Sequence, residues 1–291
     1  MRCAPSSAPG WTRSSSAISS WRSKVNDSAG RLGQLFLRYA SPLAGLRRLP
    51  VVGPWVRWAA ARLVPRDALV WMQIQAGPAK DLWLRLNPRT GSDYFRGAVE
   101  PQVQEVLSKY LHPGMTFYDI GANIGFFSML AARIVGPSGR VVAFEADPEI
   151  ADRLRENIAR NGMSWAFVQQ KAAWCEPRQV AFARNDPALS PDRGLGHVDP
   201  EATAEDTIQV DAVTLDGYAQ IASAPDFLKC DVEGAEKEVF RGARRLLEEK
   251  RPGILCEMHS EENLNALVRE FELFGYACRQ ISQNHVLALP R

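Results

Sequence analysis

The stretch Asp119-Ile120-Gly121-Ala122-Asn123-Ile124-Gly125 decides the fold of this chain. It closes an apolar run, Thr116–Ile120, that predicts a strand, and it opens a helical pattern over residues 125–134. Gly121 permits a tight turn. Gly125 lets a ligand approach the backbone at the helix N-terminus, where unpaired N–H groups attract a negatively charged group. The stretch predicts a turn that binds either a dinucleotide or a nucleoside carrying a carboxylate.

Strands and helices alternate downstream of this turn. The further predicted strands cover residues 140–145, 166–173, 207–210, 227–231 and 253–257. The predicted helices between them cover residues 148–160, 215–222, 235–248 and 261–274. This alternation predicts an α/β fold with a doubly wound, mainly parallel sheet and helices on both faces. The last two strands, over 276–281 and 285–289, predict an antiparallel hairpin.

The 291 residues divide into four predicted regions. They are a disordered basic tail over 1–30, a helical basic segment over 31–66, a hairpin with a helix over 67–112, and the core domain over 113–291. The segment 31–66 has apolar helical faces interspersed with arginine. It predicts either peripheral contact with an anionic membrane surface or, as we favour, a helical subdomain that covers the core.

Charge is divided unevenly along the chain. Residues 1–66 carry eleven Lys or Arg and one acidic residue, a balance of +10, whereas the remainder carries 24 basic and 32 acidic residues, a balance of −8. Because phosphate binding needs concentrated positive charge, the acidic body disfavours a nucleic-acid partner. A long loop over 184–206 follows the third strand and is expected to cover the substrate.

Cysteine usage predicts a reducing compartment. The five cysteines include no CxxC pair, which favours reduced thiols in a cytoplasmic protein. No apolar run of about 18 residues occurs, so we expect no transmembrane helix.

Two acidic residues favour S-adenosylmethionine as the ligand of the glycine turn. Asp119 can accept a hydrogen bond from an ammonium group, which S-adenosylmethionine has and NAD lacks. Glu145 ends the next strand, 20 residues after Gly125, where a carboxylate can accept both ribose hydroxyls. The spacing Gly121-x-x-x-Gly125 also differs from the dinucleotide pattern, which argues against a nicotinamide-dependent dehydrogenase.

Acidic residues follow the strand over 227–231 and offer candidates for catalysis. In open α/β sheets, ligands bind beyond the carboxyl ends of the strands, which places Asp231 and Glu233 near the site. His259 follows the next strand and has the most suitable unperturbed pKa for a general base. We expect His259, Glu233 and Asp231 to include the catalytic base. A metal held by Asp231 and Glu233 is possible but unsupported by spacing alone, so no metal ligand is assigned, and His112, His197 and His285 are expected to be incidental.

Over residues 94–275 the chain resembles the FkbM-type S-adenosylmethionine-dependent methyltransferases. The resemblance rests on six stretches: Tyr94-Phe95-Arg96-Gly97 with Glu100-Pro101, Pro113-Gly114-Met115-Thr116, the Asp119–Gly125 turn, Ala143-Phe144-Glu145, Leu215-Asp216, and Lys229-Cys230-Asp231-Val232-Glu233-Gly234-Ala235-Glu236. It implies a Rossmann-like seven-stranded sheet with an antiparallel last strand. It also implies O-methylation of a hydroxyl on a sugar, a polyketide, or another small molecule or glycoconjugate.

The resemblance further implies the cofactor-binding residues Asp119, Gly121, Asn123, Gly125, Glu145, Ala172 and Asp231. The chain departs from the family at Ala146, where many members carry proline, and it has no acidic residue near Gln170 to bind the adenine amine. Three alternatives remain: a dehydrogenase, a nucleic-acid methyltransferase, and a non-catalytic nucleoside-binding module that uses its basic N-terminal segment at a membrane or protein partner. The last is the main alternative to the enzyme.

Overall fold

The computed structural model describes residues 68–88, 90–184, 196–198 and 207–291. The predictions for residues 1–30 and 31–66, including membrane contact, lie outside these residues and stay predictions. So does the expected role of the loop over 184–206 as a cover, because only residues 184 and 196–198 of that loop are described.

The strands in chain order are β1 (Val70–Gln73), β2 (Trp83–Leu86), β3 (Thr116–Ile120), β4 (Arg140–Phe144), β5 (Ala166–Gln169), β6 (Ala172–Ala173), β7 (Arg178–Ala183), β8 (His197–Val198), β9 (Thr207–Val213), β10 (Phe227–Cys230), β11 (Gly253–Glu257), β12 (Tyr276–Gln280) and β13 (His285–Pro290). The α-helices are α1 (Ser92–Arg96), α2 (Pro101–Tyr110), α3 (Phe126–Val135), α4 (Pro148–Arg160), α5 (Leu215–Ile221), α6 (Glu236–Arg241) and α7 (Glu261–Leu273). A π-helix covers Leu246–Lys250.

Seven strands form the main sheet in the order β12-β13-β11-β10-β3-β4-β5. Strand β13 runs antiparallel to both of its neighbours, and all other neighbours pair in parallel. This confirms the predicted α/β class and the antiparallel last strand. The chain builds outward from β3 in one direction and from β10 in the other, so the sheet has a switch point between them, where ligands bind in such folds.

Two predicted elements are broken in the structure. The strand predicted over 166–173 divides into β5, which belongs to the main sheet, and β6, which pairs with β9 in a second sheet of order β6-β9-β7-β8. The helix predicted over 235–248 ends at Arg241 and is followed by the π-helix. The carboxylate of Asp216 accepts the backbone N–H groups of Arg245 and Leu246, which competes with regular helical hydrogen bonding.

The N-terminal hairpin of β1 and β2 is confirmed and lies against α4. Two asparagines one helical turn apart hold it there. Asn157 Oδ1 accepts the backbone N–H of Arg85 at 2.8 Å, and Asn161 accepts the N–H of Trp83 at 2.9 Å. The buried Asn157 also donates to the carbonyl of Ile124 at 2.8 Å, so one side chain joins the hairpin to the glycine turn.

Local sequence signals set the ends of the helices. Asp147 caps α4 by accepting the backbone N–H groups of Glu149 and Ile150, and Pro148 occupies the first helical position. Ser260 caps α7 in the same way through the N–H of Asn263. None of the helices that the structure describes has both the length and the apolar character that a membrane crossing requires.

Candidate active site

The glycine turn connects β3 to α3 in left-handed backbone conformations. The φ angles of Gly121, Asn123 and Gly125 are 77°, 50° and 87°. A Cβ atom on Gly121 would lie 1.7 Å from the carbonyl oxygen of Asp231, so only glycine permits the turn to pack against the end of β10. The switch point thereby brings the turn and the acidic cluster together.

Glu145 is the polar anchor of this turn. Its Oε2 accepts the backbone N–H of Asn123 and its Oε1 accepts the N–H of Asp147, both at 2.8 Å. The residue is only 8% exposed, yet it lines a cavity at the carboxyl ends of the central strands. Burial raises the pKa of Glu145 to about 7, against the two hydrogen bonds that favour the carboxylate. The remaining lone pairs of the carboxylate are available to a ligand in the cavity.

A cavity of about 300 Å³ lies at the carboxyl ends of the central strands. Its walls include six carboxylate side chains, Glu100, Glu145, Asp147, Asp231, Glu233 and Glu257, against one lysine, Lys171. Walls with this charge balance favour a cationic ligand and repel the pyrophosphate of a dinucleotide. S-adenosylmethionine fits, because it carries a sulfonium and an ammonium group and its ribose needs a hydrogen-bond acceptor such as Glu145.

The structure places six of the predicted site residues around this cavity: Gly121, Asn123, Glu145, Ala172, Asp231 and Glu233. Three others lie outside its lining. Gly125 packs against Leu154, and a Cβ atom there would lie 2.1 Å from that side chain. Asp119 is buried behind the wall, where its Oδ2 accepts the hydroxyl of Ser128 at 2.5 Å. His259, the third, belongs to a network described below.

Asp119 shares a buried cation with Asp231. The Nζ of Lys229 donates to Asp231 Oδ2 at 2.9 Å, and Lys229 is 2% exposed. Burial raises the pKa of Asp119, and the Lys229 ammonium opposes that shift. Burial also disfavours an ionised Asp231, but Lys229 outweighs it and holds the pKa of Asp231 below its usual range. This pairing with Lys229 makes Asp231 a weak base.

His259 is held by a buried carboxylate. Its Nδ1 lies 2.7 Å from Oε1 of Glu236, which is fully buried and also accepts Nδ2 of Asn263 at 2.5 Å. The hydrogen bond to Glu236 raises the pKa of His259 to about 9, although partial burial opposes this. The histidine is therefore an imidazolium at neutral pH and cannot accept a proton in that state. The expectation drawn from its unperturbed pKa did not include Glu236.

Glu100 and Glu257 were not among the predicted site residues, and His285 was expected to be incidental. Nε2 of His285 lies 3.2 Å from Oε2 of Glu100 and 3.5 Å from Oε2 of Glu257. Glu257 and His285 face each other across the antiparallel pair β11 and β13. Among the residues that the structure describes, two groups of side chains have ligand atoms close enough to share a metal ion: these three residues, and Asp231 with Glu257 and His259.

Comparison with known proteins decides the family. A model described as the methyltransferase FkbM domain matches residues 119–278, more than half of the chain. The chain belongs to the FkbM methyltransferase family. S-adenosylmethionine is therefore the cofactor of this FkbM protein, as the sequence motifs predicted.

Other relatives match this FkbM protein over shorter lengths. The arsenite methyltransferase of Halobacterium salinarum is 37% identical over 71 residues, which is 24% of this chain and 17% of that protein. The ribosomal protein L11 methyltransferase of Pelotomaculum thermopropionicum is 32% identical over 106 residues, 36% of this chain and 33% of that protein. The chain thus spans a third or less of these curated relatives. A crystal structure of an FkbM methyltransferase from Methylobacillus flagellatus is 20% identical, covers 60% of this chain and 43% of that one, and has a TM-score of 0.45.

Proposed function

We propose that this protein methylates a hydroxyl oxygen of a small molecule or glycoconjugate, such as a sugar or a polyketide. The observation that carries the proposal is the position of Glu233. Its carboxylate lines the same cavity as Glu145, and its Oε2 lies 3.3 Å from Nε2 of His259. Partial burial raises the pKa of Glu233, which suits a group that takes a proton from an alcohol.

The bound cofactor supplies an electrophilic methyl group on a sulfonium. The protein's own residues do the remaining work. Glu145 would accept the ribose hydroxyls, and Gly121 and Asn123 form the turn beside them. The backbone around Ala172 would contact the adenine, because Lys171 and the two residues of β6 line the cavity. These contacts fix the orientation on which an in-line transfer depends.

Glu233 acts as the general base. Glu233 would take the proton of the acceptor hydroxyl as that oxygen receives the methyl group. His259 acts as a positioning residue: its imidazolium, fixed by Glu236, stabilises the negative charge of Glu233 and of Asp231, whose Oδ1 lies 3.8 Å away. This assignment replaces His259 as the base, since a protonated imidazole has no lone pair to offer.

Three further expectations belong to this proposal. The acidic cavity supports a small-molecule partner rather than a nucleic acid. The described cysteines, Cys175, Cys230, Cys256 and Cys278, are free thiols, which supports a cytoplasmic location. Peripheral membrane contact through residues 31–66 stays a prediction.

The proposal is tested with methyl-labelled S-adenosylmethionine and a panel of alcohols, amines and thiols. We expect label in an ether product of at least one alcohol, and a loss of turnover of roughly 100-fold or more in Glu233→Gln with unchanged cofactor affinity. Transfer only to amines or thiols would contradict O-methylation. Cofactor binding without transfer to any acceptor would favour the non-catalytic module.

A further inference from the structure

The side chains of Glu100, Glu257 and His285 meet at the edge of the cavity. Glu100 and Glu257 line it, while His285 lies behind them with a side chain only 5% exposed. These residues come from the start of α2 and from the adjacent strands β11 and β13, so the cluster is assembled by the tertiary fold. None of them has a part in the methyl transfer described above.

Two polar atoms of this cluster lack hydrogen bonds. Among the described residues, Nε2 of His285 and Oε2 of Glu100 are buried and have no hydrogen-bond partner. Nε2 nevertheless lies 3.2 Å from the carboxylate of Glu100 and 3.5 Å from that of Glu257, without a hydrogen bond to either. A buried polar group without a hydrogen bond needs an explanation, and an ion bound between the three side chains supplies one.

The spacing of the donor atoms fits a single ion. The ligand atoms of the three residues all lie within 4.8 Å of one another. Ligands at about 2.0–2.2 Å from one cation are separated from each other by roughly 3–4 Å. The other ring nitrogen of His285 lies 2.9 Å from the hydroxyl of Ser282, which fixes the ring as outer partners of metal-bound histidines do.

We propose that Glu100, Glu257 and His285 bind one divalent cation at the edge of the cavity, where His259 lies 3.3 Å from Glu233 and 4.0 Å from Glu257. The donors are one imidazole nitrogen and two carboxylates. This mixed set favours an ion such as Mn²⁺, which accepts both donor types, over Ca²⁺, which takes oxygen ligands. The three protein ligands leave coordination positions open toward the cavity.

The function of the ion follows from its position. It would hold an oxygen of the acceptor and lower the pKa of a bound hydroxyl, which eases proton transfer to Glu233. This role rests on the proposed O-methylation, whereas binding of the ion does not. The two claims can therefore fail separately.

The test is a Mn²⁺ titration of the full chain after chelator treatment, followed by the electron paramagnetic resonance signal of free Mn²⁺. We expect one ion per chain, and binding at least tenfold weaker in Glu257→Gln and His285→Gln. Glu100→Gln provides a second test at the more exposed ligand, whose side chain is 31% exposed. The controls Glu105→Gln and His112→Asn replace exposed residues outside the cluster and are expected to bind as the wild type does.

Calorimetry with S-adenosylmethionine on the same samples separates the two claims and shows that each variant is folded. Cofactor binding without Mn²⁺ binding by the wild type would overturn the metal site and leave the methyltransferase intact. Equal Mn²⁺ affinity in the wild type and in cluster variants that still bind the cofactor would also overturn it. Mn²⁺ binding that is lost in the cluster variants and kept in the controls would support the site, even if no alcohol is methylated.

Discussion

The carboxylate of Glu145 accepts the backbone N–H of Asn123, with Oε2 2.8 Å from the nitrogen. The glycine turn and the end of β4 are therefore joined by an ionisable side chain that also lines the cavity. The second oxygen of Glu145 accepts the N–H of Asp147, which caps α4. In the proposed binding mode, cofactor recognition depends on the same carboxylate that orders the turn.

Replacing Glu145 by glutamine weakens cofactor binding. Both of its oxygens accept backbone N–H groups, so an amide NH₂ at either position would face a donor. We expect the Kd for S-adenosylmethionine in Glu145→Gln to rise roughly 10- to 100-fold, measured by calorimetry. Glu105→Gln, on the exposed face of α2, serves as the control. Unchanged affinity in Glu145→Gln would show that the ribose is bound elsewhere.

Cofactor affinity is expected to depend on pH through Glu145. Because burial raises its pKa to about 7, the carboxylate that accepts hydroxyl groups is present above that pH and is lost below it. The affinity of the wild type should fall by up to about tenfold for each pH unit below 7. At a pH between the ordinary pKa of a glutamate and 7, Glu145 is protonated in the folded protein but ionised in the unfolded chain. Glu145 therefore lowers the free energy of unfolding as pH rises through that window.

The pH dependence is measured by calorimetry at pH 6, 7 and 8 on the wild type and Glu145→Gln. The variant has no ionisable group at this position, so its affinity should change much less over this range. A parallel decline in both proteins would assign the effect to another group.

A methyl group on Gly121 would push the glycine turn away from the loop that follows β10. Its Cβ would lie 1.7 Å from the carbonyl oxygen of Asp231, and its φ is 77°. We expect Gly121→Ala to lower the free energy of unfolding by about 2–4 kcal/mol and to abolish cofactor binding. Gly162→Ala is a matched control, since Gly162 has a φ of 67° and no described atom lies within 4 Å of its Cβ position.

The control should lose about 1 kcal/mol, the cost of the backbone conformation alone. Urea denaturation of both variants measures the difference. Equal losses in the two variants would indicate that the contact with Asp231 contributes nothing.

Asn157 joins the N-terminal hairpin to the glycine turn. In Asn157→Asp the Oδ1 contact with Arg85 can persist, but a carboxylate oxygen replaces the donor to the Ile124 carbonyl. Because Asn157 is fully buried, we expect a loss of about 2–4 kcal/mol in the free energy of unfolding. Asp152→Asn, on the same helix with a side chain 75% exposed, should change stability by less than about 0.5 kcal/mol. Similar stability of both variants would refute the linking role.

The elements that sequence predicts well are those fixed by local signals. Asp147 with Pro148 marks the start of α4, and the turn from Asp119 to Gly125 carries its glycines at the required positions. Strand β7 was missed although Val180 and Phe182 alternate with less buried residues, because its stability comes from pairing with the distant β9. The local sequence pattern therefore indicates such a strand only weakly.

In the candidate site too, some residues are predictable from local sequence and others depend on tertiary contacts. Glu145 follows its strand directly and was predicted from spacing. The pairing of Glu257 with His285 depends on the register between β11 and β13, which no local pattern determines. The raised pKa of His259 depends on Glu236, whose role in the site appears only when α6 is placed beside the end of β11. Chemistry that depends on tertiary neighbours therefore needed the structure.

A crystal structure of the protein with S-adenosylhomocysteine, the demethylated product, tests most directly whether the acidic cavity binds the cofactor. We expect the nucleoside in this cavity, with both ribose hydroxyls within about 3 Å of the Glu145 carboxylate and the adenine beside Ala172. A ribose bound by another side chain, or a nucleoside outside this cavity, would contradict it.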